Sequence, residues 1–248
     1  MADAFFNLLF RKDRNSAQPP LPDPTHPYFP RNLSLPTYSP NTWTLPLILS
    51  AFISLITLFV GSGLLLARYK SPLLKNKLGD QFTIAWFLLC GFLHLFFEGY
   101  LVFFSESIPS SQFIFSQLWK EYSLSDSRYI SRDPFMHCIE SLTFLIWGPL
   151  SLLTAYFIAS NKQQGTRHIL QIIVSVGHLY GVALYYGTGW FSERYEGKVY
   201  SRPEIMYFWV YYAGLNAPWG IVPVWLLWRS GKEVKRVFEV VDEEKKNE

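Results

Sequence analysis

The stretch GDQFTIAWFLLCGFLHLFFEGYLVFF, residues 79–104, decides the fold class of this 248-residue chain. After Asp80 it carries one more acidic residue, Glu98, and no lysine or arginine. An α-helix rises about 1.5 Å per residue, so a run of this length crosses the roughly 30 Å of hydrocarbon in a bilayer. Four further apolar runs lie at residues 43–67, 135–160, 168–190 and 204–228. We therefore predict an all-α membrane protein built as a five-helix transmembrane bundle.

Composition and motifs exclude several function classes. The net charge is +3, and the basic residues are spread over loops and tail, so we predict no nucleic-acid partner. The sequence has no glycine-rich phosphate loop, Cys-x-x-Cys pair or Gly-x-Ser-x-Gly elbow, and we predict no cofactor. Cys90 and Cys138 fall at different predicted depths, so we expect no disulfide between them.

The chain divides into three parts by composition. Residues 1–42 include eight prolines between Pro19 and Pro40, which predicts an extended N-terminal segment. Residues 43–228 hold the five apolar runs, and residues 229–248 form a charged tail. Lysine and arginine are concentrated in the loops after the first and third runs and in the tail. Because basic loops stay in the cytosol, we predict a lumenal N-terminus and a cytosolic C-terminus.

Two short signals bear on location. The chain ends Lys-Lys-Asn-Glu at residues 245–248, which matches the dilysine pattern that retains membrane proteins in the endoplasmic reticulum. Asn32-Leu33-Ser34 is a glycosylation acceptor that the predicted topology places in the lumen. We therefore predict a multi-pass protein of the endoplasmic reticulum membrane.

Two carboxylates lie inside the apolar runs, although an ionisable side chain at a bilayer centre costs roughly 2.5 to 3.5 kcal/mol. Counted along the helices, Glu98 and Glu140 both lie roughly 8–9 Å below the lumenal edge. His94 shares a helix face with Glu98, at i and i+4, and Thr143 shares one with Glu140, at i and i+3. Such faces turn away from lipid, so we expect them to converge on one intramembrane ligand cavity.

The fifth run adds a further polar face. Asn216 and Trp219, at i and i+3, are predicted near the midplane. Thr143 and Asn216 also fit a simpler role as polar contacts that hold helices together. His137 and His178 lie in apolar runs as well, which raises the alternative of a di-metal carboxylate site. Such sites use two Glu-x-x-His motifs, whereas here histidine precedes glutamate, so we predict no metal.

A series of short motifs extends over residues 26–228. They are His26-Pro27-Tyr28, Cys90-Gly91-Phe92-Leu93-His94-x3-Glu98-Gly99, Ser116-Gln117-Leu118-Trp119-Lys120-Glu121-Tyr122, Asp126-Ser127-Arg128-Tyr129, Glu140-x2-Thr143, Trp147-Gly148-Pro149-Leu150-Ser151, Val174-Ser175-Val176-Gly177, Tyr180-Gly181, Tyr207-Phe208-Trp209 and Asn216-Ala217-x-Trp219. In these motifs the chain resembles the emopamil-binding protein family, the sterol Δ8–Δ7 isomerases.

The resemblance implies an isomerase that moves the 8,9 double bond of a sterol to the 7,8 position. This reaction is redox-neutral and needs no nicotinamide, flavin or metal. The implied site residues are His94, Glu98, Glu140, Thr143, Asn216 and Trp219. His137 and His178 stand where we expect other residues in animal members.

The implied chemistry is proton transfer to and from an alkene. An acid protonates one alkene carbon, which leaves a tertiary carbocation, and a base removes a proton from the carbon on the other side. Glu98 with His94 is expected to donate and relay the proton, and Glu140, oriented by Thr143, to be its partner. The sequence does not decide which of the two carboxyl groups donates the proton and which accepts it.

The remaining expectations concern ligands. Trp219 is expected to face the carbocation, where a cation–π contact is worth about 2 kcal/mol, and Asn216 to orient a neighbour or a water. A protonated amine mimics that cation, so the expected ligands are a Δ8 sterol, cationic amphiphilic amines and membrane lipid. A homodimer is left open. The alternatives are a non-catalytic sterol- or amine-binding protein of the same fold and a proton-coupled transporter, although the sequence has no repeated half.

Overall fold

The computed structural model describes residues 25–247, and within that range the chain is helical and contains no strand. The prediction of an all-α protein is thereby confirmed. The helices are α1, Leu45–Lys70; α2, Leu78–Phe104; α3, Ile114–Tyr122; α4, Pro134–Ser160; α5, Gln164–Glu196; α6, Met206–Gly214; and α7, Pro218–Lys246.

Four of these helices, α1, α2, α4 and α5, are long and apolar enough to cross a membrane. They coincide with the first four predicted runs, and α5 extends furthest beyond its prediction, to Glu196 instead of residue 190. In the most apolar 18-residue stretch of α1, only 6% of the residues are buried within the protein. Leu58 on this helix is 70% exposed. Such apolar, outward-facing surfaces suit contact with lipid.

The fifth predicted run, residues 204–228, does not form one continuous helix. The π-helical α6 ends at Gly214, and α7 begins at Pro218. Proline has no N–H and fixes φ, so it suits the first turn of a helix and not the middle of one. α7 then continues beyond residue 228, through the predicted tail to Lys246, and a Lys235–Glu239 pair lies along its exposed surface.

The helices pack in a chain of neighbours, with α2 against α1 and α4, and α5 against α4 and α7. Gly148 allows α4 to approach α2 closely. A Cβ atom at Gly148 would lie 2.8 Å from the Leu95 side chain and 3.2 Å from the Cβ of His94. The backbone of α4 therefore lies directly against the residue that the sequence predicts to relay a proton.

Both α2 and α4 contain a π-helical turn near the same level. In α2 the turn is Leu93–Glu98, and in α4 it is Thr143–Trp147. A π turn accommodates one more residue than an α turn, and such turns are frequent at functional sites. Here they carry His94 and Glu98 on one helix and lie directly after Glu140 on the other.

One end of the bundle is closed by α3 and the segment 123–130, which together we call the cap. All residues of this segment are buried, including Asp126 and Arg128, whose side chains form an ion pair at 2.5 Å. Part of the proline-rich segment packs on the cap: the Tyr28 hydroxyl donates to Lys120 O at 3.0 Å, and Lys120 Nζ donates to Ser39 O at 2.9 Å.

The other end is held by polar contacts between helices. Asp80 of α2 accepts hydrogen bonds from Arg167 of α5 and Arg229 of α7, each at 2.5 Å. Next to this group, Ser230 of α7 is bonded to His168 and Gln171 of α5. These contacts fix α2, α5 and α7 to one another at the end of the bundle remote from the cap.

Candidate functional site

The centre of the candidate site is a group of three ionisable side chains on α2 and α4. His94 and Glu98 lie on the π turn of α2, with His94 Nδ1 2.7 Å from Glu98 Oε2. The carboxyl group of Glu140 lies within hydrogen-bonding reach of that of Glu98. His94 and Glu140 are buried, and the Glu98 side chain is 17% exposed. A hydrogen bond between two carboxyl groups needs a proton on one of them, so this pair can hold a proton that it gives or takes.

His178 of α5 extends the group by a second imidazole. His178 Nε2 is 3.0 Å from His94 Nε2, and the two rings meet edge to face. One of the two nitrogens carries the hydrogen and the other accepts it. His94 is therefore bonded at both nitrogens, to Glu98 on one side and to His178 on the other, which fixes the orientation of its ring.

Asn216 is linked to Glu140 through tyrosines of the cap. Asn216 Nδ2 donates to the Tyr122 hydroxyl at 2.9 Å and to Tyr212 O at 2.8 Å. The rings of Tyr122 and Tyr129 lie 5.4 Å apart, and the Tyr129 hydroxyl contacts the carboxyl group of Glu140. Asn216, which the sequence predicts as a site residue, is thus connected to the carboxylates through Tyr122 and Tyr129 of the cap.

Thr143 and Trp219 lie further from the carboxylates. The Thr143 hydroxyl donates to Ile139 O at 2.9 Å, so its hydrogen is used within α4. Trp219 packs against Trp86, with ring centroids 5.3 Å apart, and contacts Cys90, which precedes His94 by one helical turn. Trp219 therefore lies on the His94 side of the group, away from the cap.

The structure adds three side chains to the predicted set: Tyr122, Tyr129 and His178. Both tyrosines stand in the motifs at residues 116–129, but the mixed charges of that stretch gave it the composition of an exposed loop. His178 was visible as a histidine in an apolar run, and only the packing of α5 against α4 and α2 gives it a neighbour in His94.

An apolar groove lies away from this ionisable group. A groove of about 460 Å³ is lined by Gly79, Phe82, Ile221, Val222 and Trp225, between α2 and α7. None of the six predicted site residues lines it. The ionisable group is instead enclosed by its own neighbours, among them the tyrosines of the cap.

Residues 114–230 match the family described as EXPERA (EXPanded EBP superfamily). Over 227 residues, 88% of this chain and 93% of the relative, the chain is 38% identical to the 3-beta-hydroxysteroid-Delta(8),Delta(7)-isomerase of Rattus norvegicus. The chain belongs to the EXPERA family. The emopamil-binding resemblance seen in the motifs is confirmed.

Plant relatives of this EXPERA protein are nearly as similar. The probable 3-beta-hydroxysteroid-Delta(8),Delta(7)-isomerase of Oryza sativa subsp. japonica is 34% identical over 86% of this chain and 94% of the relative. The isomeliandiol synthase of Melia azedarach is 35% identical over 86% of this chain and 92% of the relative. Four helices long and apolar enough to cross a membrane, together with these relatives, indicate a membrane protein.

The family match covers one part of the candidate site. Residues 114–230 include the cap, Glu140, His178 and Asn216, whereas His94 and Glu98 precede them. The match to the rat relative covers 88% of the chain and therefore extends well into α2, which carries His94 and Glu98. Both helices of the ionisable group thus lie in the region shared with an isomerase.

Proposed function

We propose that this EXPERA protein is a sterol Δ8–Δ7 isomerase. One observation carries the proposal: Glu98 is in contact with both His94 and Glu140 in a buried group, and the chain is 38% identical to a protein named for this reaction. Two adjacent carboxyl groups that share a proton are suited to giving one proton to an alkene and taking another from it.

The reaction balances without any redox step. A carboxyl proton adds to carbon 9, the two π electrons form the new C–H bond, and carbon 8 becomes a tertiary carbocation. Loss of a proton from carbon 7 to the second carboxyl group then forms the 7,8 double bond. The acid has lost one proton and the base has gained one, so the acid takes a proton from water and the base returns one to water, which restores the starting state.

The residue roles follow from their contacts. His94 holds Glu98 through Nδ1, and Tyr129 lies close to Glu140, so each carboxyl group has a different polar neighbour. Asn216 fixes Tyr122 beside Tyr129 and so acts as a positioning residue. In this proposal Trp219 faces the cation from the His94 side, and Thr143 stabilises the start of the π turn in α4 through its bond to Ile139 O.

The proposal includes an intramembrane ligand cavity and a five-helix bundle. α6 and the first part of α7 together form the fifth crossing, interrupted at residues 215–217. A sterol reaches Glu98 and Glu140 when the enclosing side chains move apart. The protein lies in the endoplasmic reticulum membrane, with its N-terminus lumenal and its C-terminus cytosolic.

A cationic amphiphilic amine is expected to inhibit the enzyme, because it places a positive charge where the carbocation forms. A matched pair of compounds tests this expectation. A tertiary amine on an apolar scaffold inhibits turnover, whereas its uncharged carbon analogue of the same shape inhibits far less. Equal inhibition by both compounds contradicts the carbocation scheme.

The deciding experiment supplies a Δ8 sterol to cells that lack their own isomerase and express this chain, grown in deuterated water. We expect a Δ7 sterol with deuterium at carbon 9. Δ7 product without deuterium refutes the proton transfer. Sterol binding by the purified protein without any product supports the alternative of a non-catalytic binding protein, and sterol flux without a change in the double bond supports a transporter.

A further inference from the structure

Three buried side chains that are typical metal ligands meet beside the candidate site. Cys90 and His94 come from α2 and His178 from α5, and their ligand atoms all lie within 4.8 Å of one another. Each is nearly inaccessible, at 0%, 3% and 5% exposure. The proposed isomerisation uses His94, whose ring His178 orients, but it gives no chemical role to the Cys90 thiol.

The facing nitrogens of the two histidines are oriented as a metal site requires. Metal-binding histidines almost always give their second nitrogen to a carboxylate or a carbonyl, which fixes the ring. His94 Nδ1 is 2.7 Å from Glu98 Oε2, and this contact leaves Nε2 to face His178. His94 is thus arranged as in a carboxylate–histidine–metal triad, with the Glu98 carboxylate at Nδ1 and the metal position at Nε2.

The distances fit a tetrahedral ion. With Zn–N bonds of about 2.0–2.1 Å, two nitrogens on a tetrahedral zinc ion lie about 3.3 Å apart. The Nε2 atoms of His94 and His178 are 3.0 Å apart, so a small outward movement of either ring makes room for the ion. Apart from its contact with His94, the His178 ring makes no hydrogen bond among the described residues, because its buried Nδ1 has no partner.

We propose that Cys90, His94 and His178 form a binding site for Zn²⁺. One thiolate and two imidazoles are a ligand set that zinc prefers, and three protein ligands leave the fourth position open. Binding replaces the thiol proton by the metal and releases that proton to solvent, so it weakens at acid pH. The two positive charges of the ion are offset by the Cys90 thiolate and by the Glu98 carboxylate behind His94.

Zinc at this site has a consequence for the proposed isomerase. The ion occupies His94 Nε2 and holds Glu98 in its ionised form, so neither is available for proton transfer. Zinc is therefore an inhibitor that a chelator removes. Binding itself does not depend on the proposed function, because it is measured without any sterol.

The test uses purified full-length protein in detergent, stripped with a chelator and titrated with Co²⁺ as a spectroscopic substitute for zinc. We expect a near-ultraviolet thiolate-to-cobalt band that saturates at one ion per chain and disappears when Zn²⁺ is added. Cys90→Ser removes the band. Cys138→Ser, which changes the exposed cysteine of α4, keeps it and is the matched control.

A second pair of variants distinguishes loss of the site from loss of the fold. His178→Phe lowers zinc affinity, and Glu98→Gln lowers it by about 10- to 100-fold through the outer contact to His94. Gel filtration and the melting temperature of each variant show whether it is folded. Absence of a cobalt band from folded wild-type protein overturns the proposal, and so does a band that persists in Cys90→Ser.

Discussion

At the scale of single residues, Glu140 gives the most direct test of the proposed proton transfer. Its buried carboxyl group lies beside the carboxyl group of Glu98, and an amide in its place cannot take up or release the proton. General acid–base catalysis contributes about 10²- to 10⁴-fold, so we expect Glu140→Gln to lower the rate of isomerisation by that factor. The rate of Δ7 sterol formation per folded enzyme measures it.

Glu106 supplies a matched control for that substitution. Its side chain is 79% exposed and pairs with the exposed Arg132 at 3.0 Å. Glu106→Gln makes the same chemical change at the surface and is expected to leave turnover unchanged. Full activity in Glu140→Gln rules out the proposed mechanism.

A second prediction at this scale concerns Lys120 and how the free energy of unfolding depends on pH. Lys120 is 2% exposed, and burial lowers its pKa to about 8, whereas the unfolded chain has a lysine pKa of about 10.4. Between these values the unfolded chain binds more protons, so this group makes the free energy of unfolding rise with pH. We expect the wild type to gain stability relative to Lys120→Met between about pH 7 and pH 9.5. Thermal unfolding at both pH values tests this, and a constant difference contradicts it.

The sequence predicts the residue-scale features unevenly. The cost of carboxylates in apolar runs singles out Glu98 and Glu140, because few other reasons place such groups there. Tyr129 and Tyr122 have no comparable signal, since tyrosine is common at membrane edges and in loops. Their contacts depend on the folding of the cap over the bundle, which helical spacing does not encode.

At the scale of elements, two of the glycines of α5, Gly177 and Gly181, differ sharply in their surroundings. A Cβ at Gly177 would lie 2.6 Å from the Trp147 ring, whereas a Cβ at Gly181 would meet nothing within 4 Å. Overpacking of this kind costs about 1–3 kcal/mol, so we expect Gly177→Ala to lower the melting temperature. Gly181→Ala is the control, and it is expected to be neutral or slightly stabilising, because alanine favours helix by about 1 kcal/mol. Equal melting temperatures for the two variants would refute this account.

Helix ends and interruptions are the elements that sequence predicts least well. Hydropathy locates α1, α2, α4 and α5 because each is a continuous apolar run between charged loops. Gly214 and Pro218 indicate the interruption between α6 and α7, but the apolar character of residues 204–228 continues across both residues, which favours a single helix. The π turns are invisible to hydropathy, because inserting one residue into an apolar helix does not change its average composition.

At the scale of the whole molecule, the predicted orientation leads to an experiment on the tail. α7 carries the chain as a helix to Lys246, so the last lysines lie at the end of a rod that starts in the bundle. If the tail is cytosolic and residues 245–248 act as a retrieval signal, Lys245→Ser with Lys246→Ser moves the protein out of the endoplasmic reticulum. Fluorescence microscopy of an N-terminally tagged protein measures this.

The matched control for the tail removes the same charge further from the C-terminus. Lys232→Ser with Lys235→Ser is expected to leave the location unchanged. Protease digestion of sealed microsomes tests the orientation independently, since a cytosolic C-terminal tag is cleaved there and a lumenal one is protected. A protected tag reverses the proposed topology.

The buried cap is the part of the whole molecule that the sequence does not predict. Residues 123–130 contain serines and charged groups, which by composition belong on a surface. They are buried because Asp126 and Arg128 neutralise each other, and Tyr185 O accepts a further bond from Arg128. Buried charges need such partners, and only the folded chain shows that these partners are present.

The two π turns also fix how many residues α2 and α4 can contain. Removing one residue between His94 and Glu98 returns the turn Leu93–Glu98 to α-helical spacing and changes the angle between these two side chains around the axis of α2. A deletion in Thr143–Trp147 likewise changes the relative directions of the side chains within that turn of α4. A single-codon deletion in either turn is therefore expected to be more damaging than most substitutions there, and the length of each helix is as much a part of the site as its side chains.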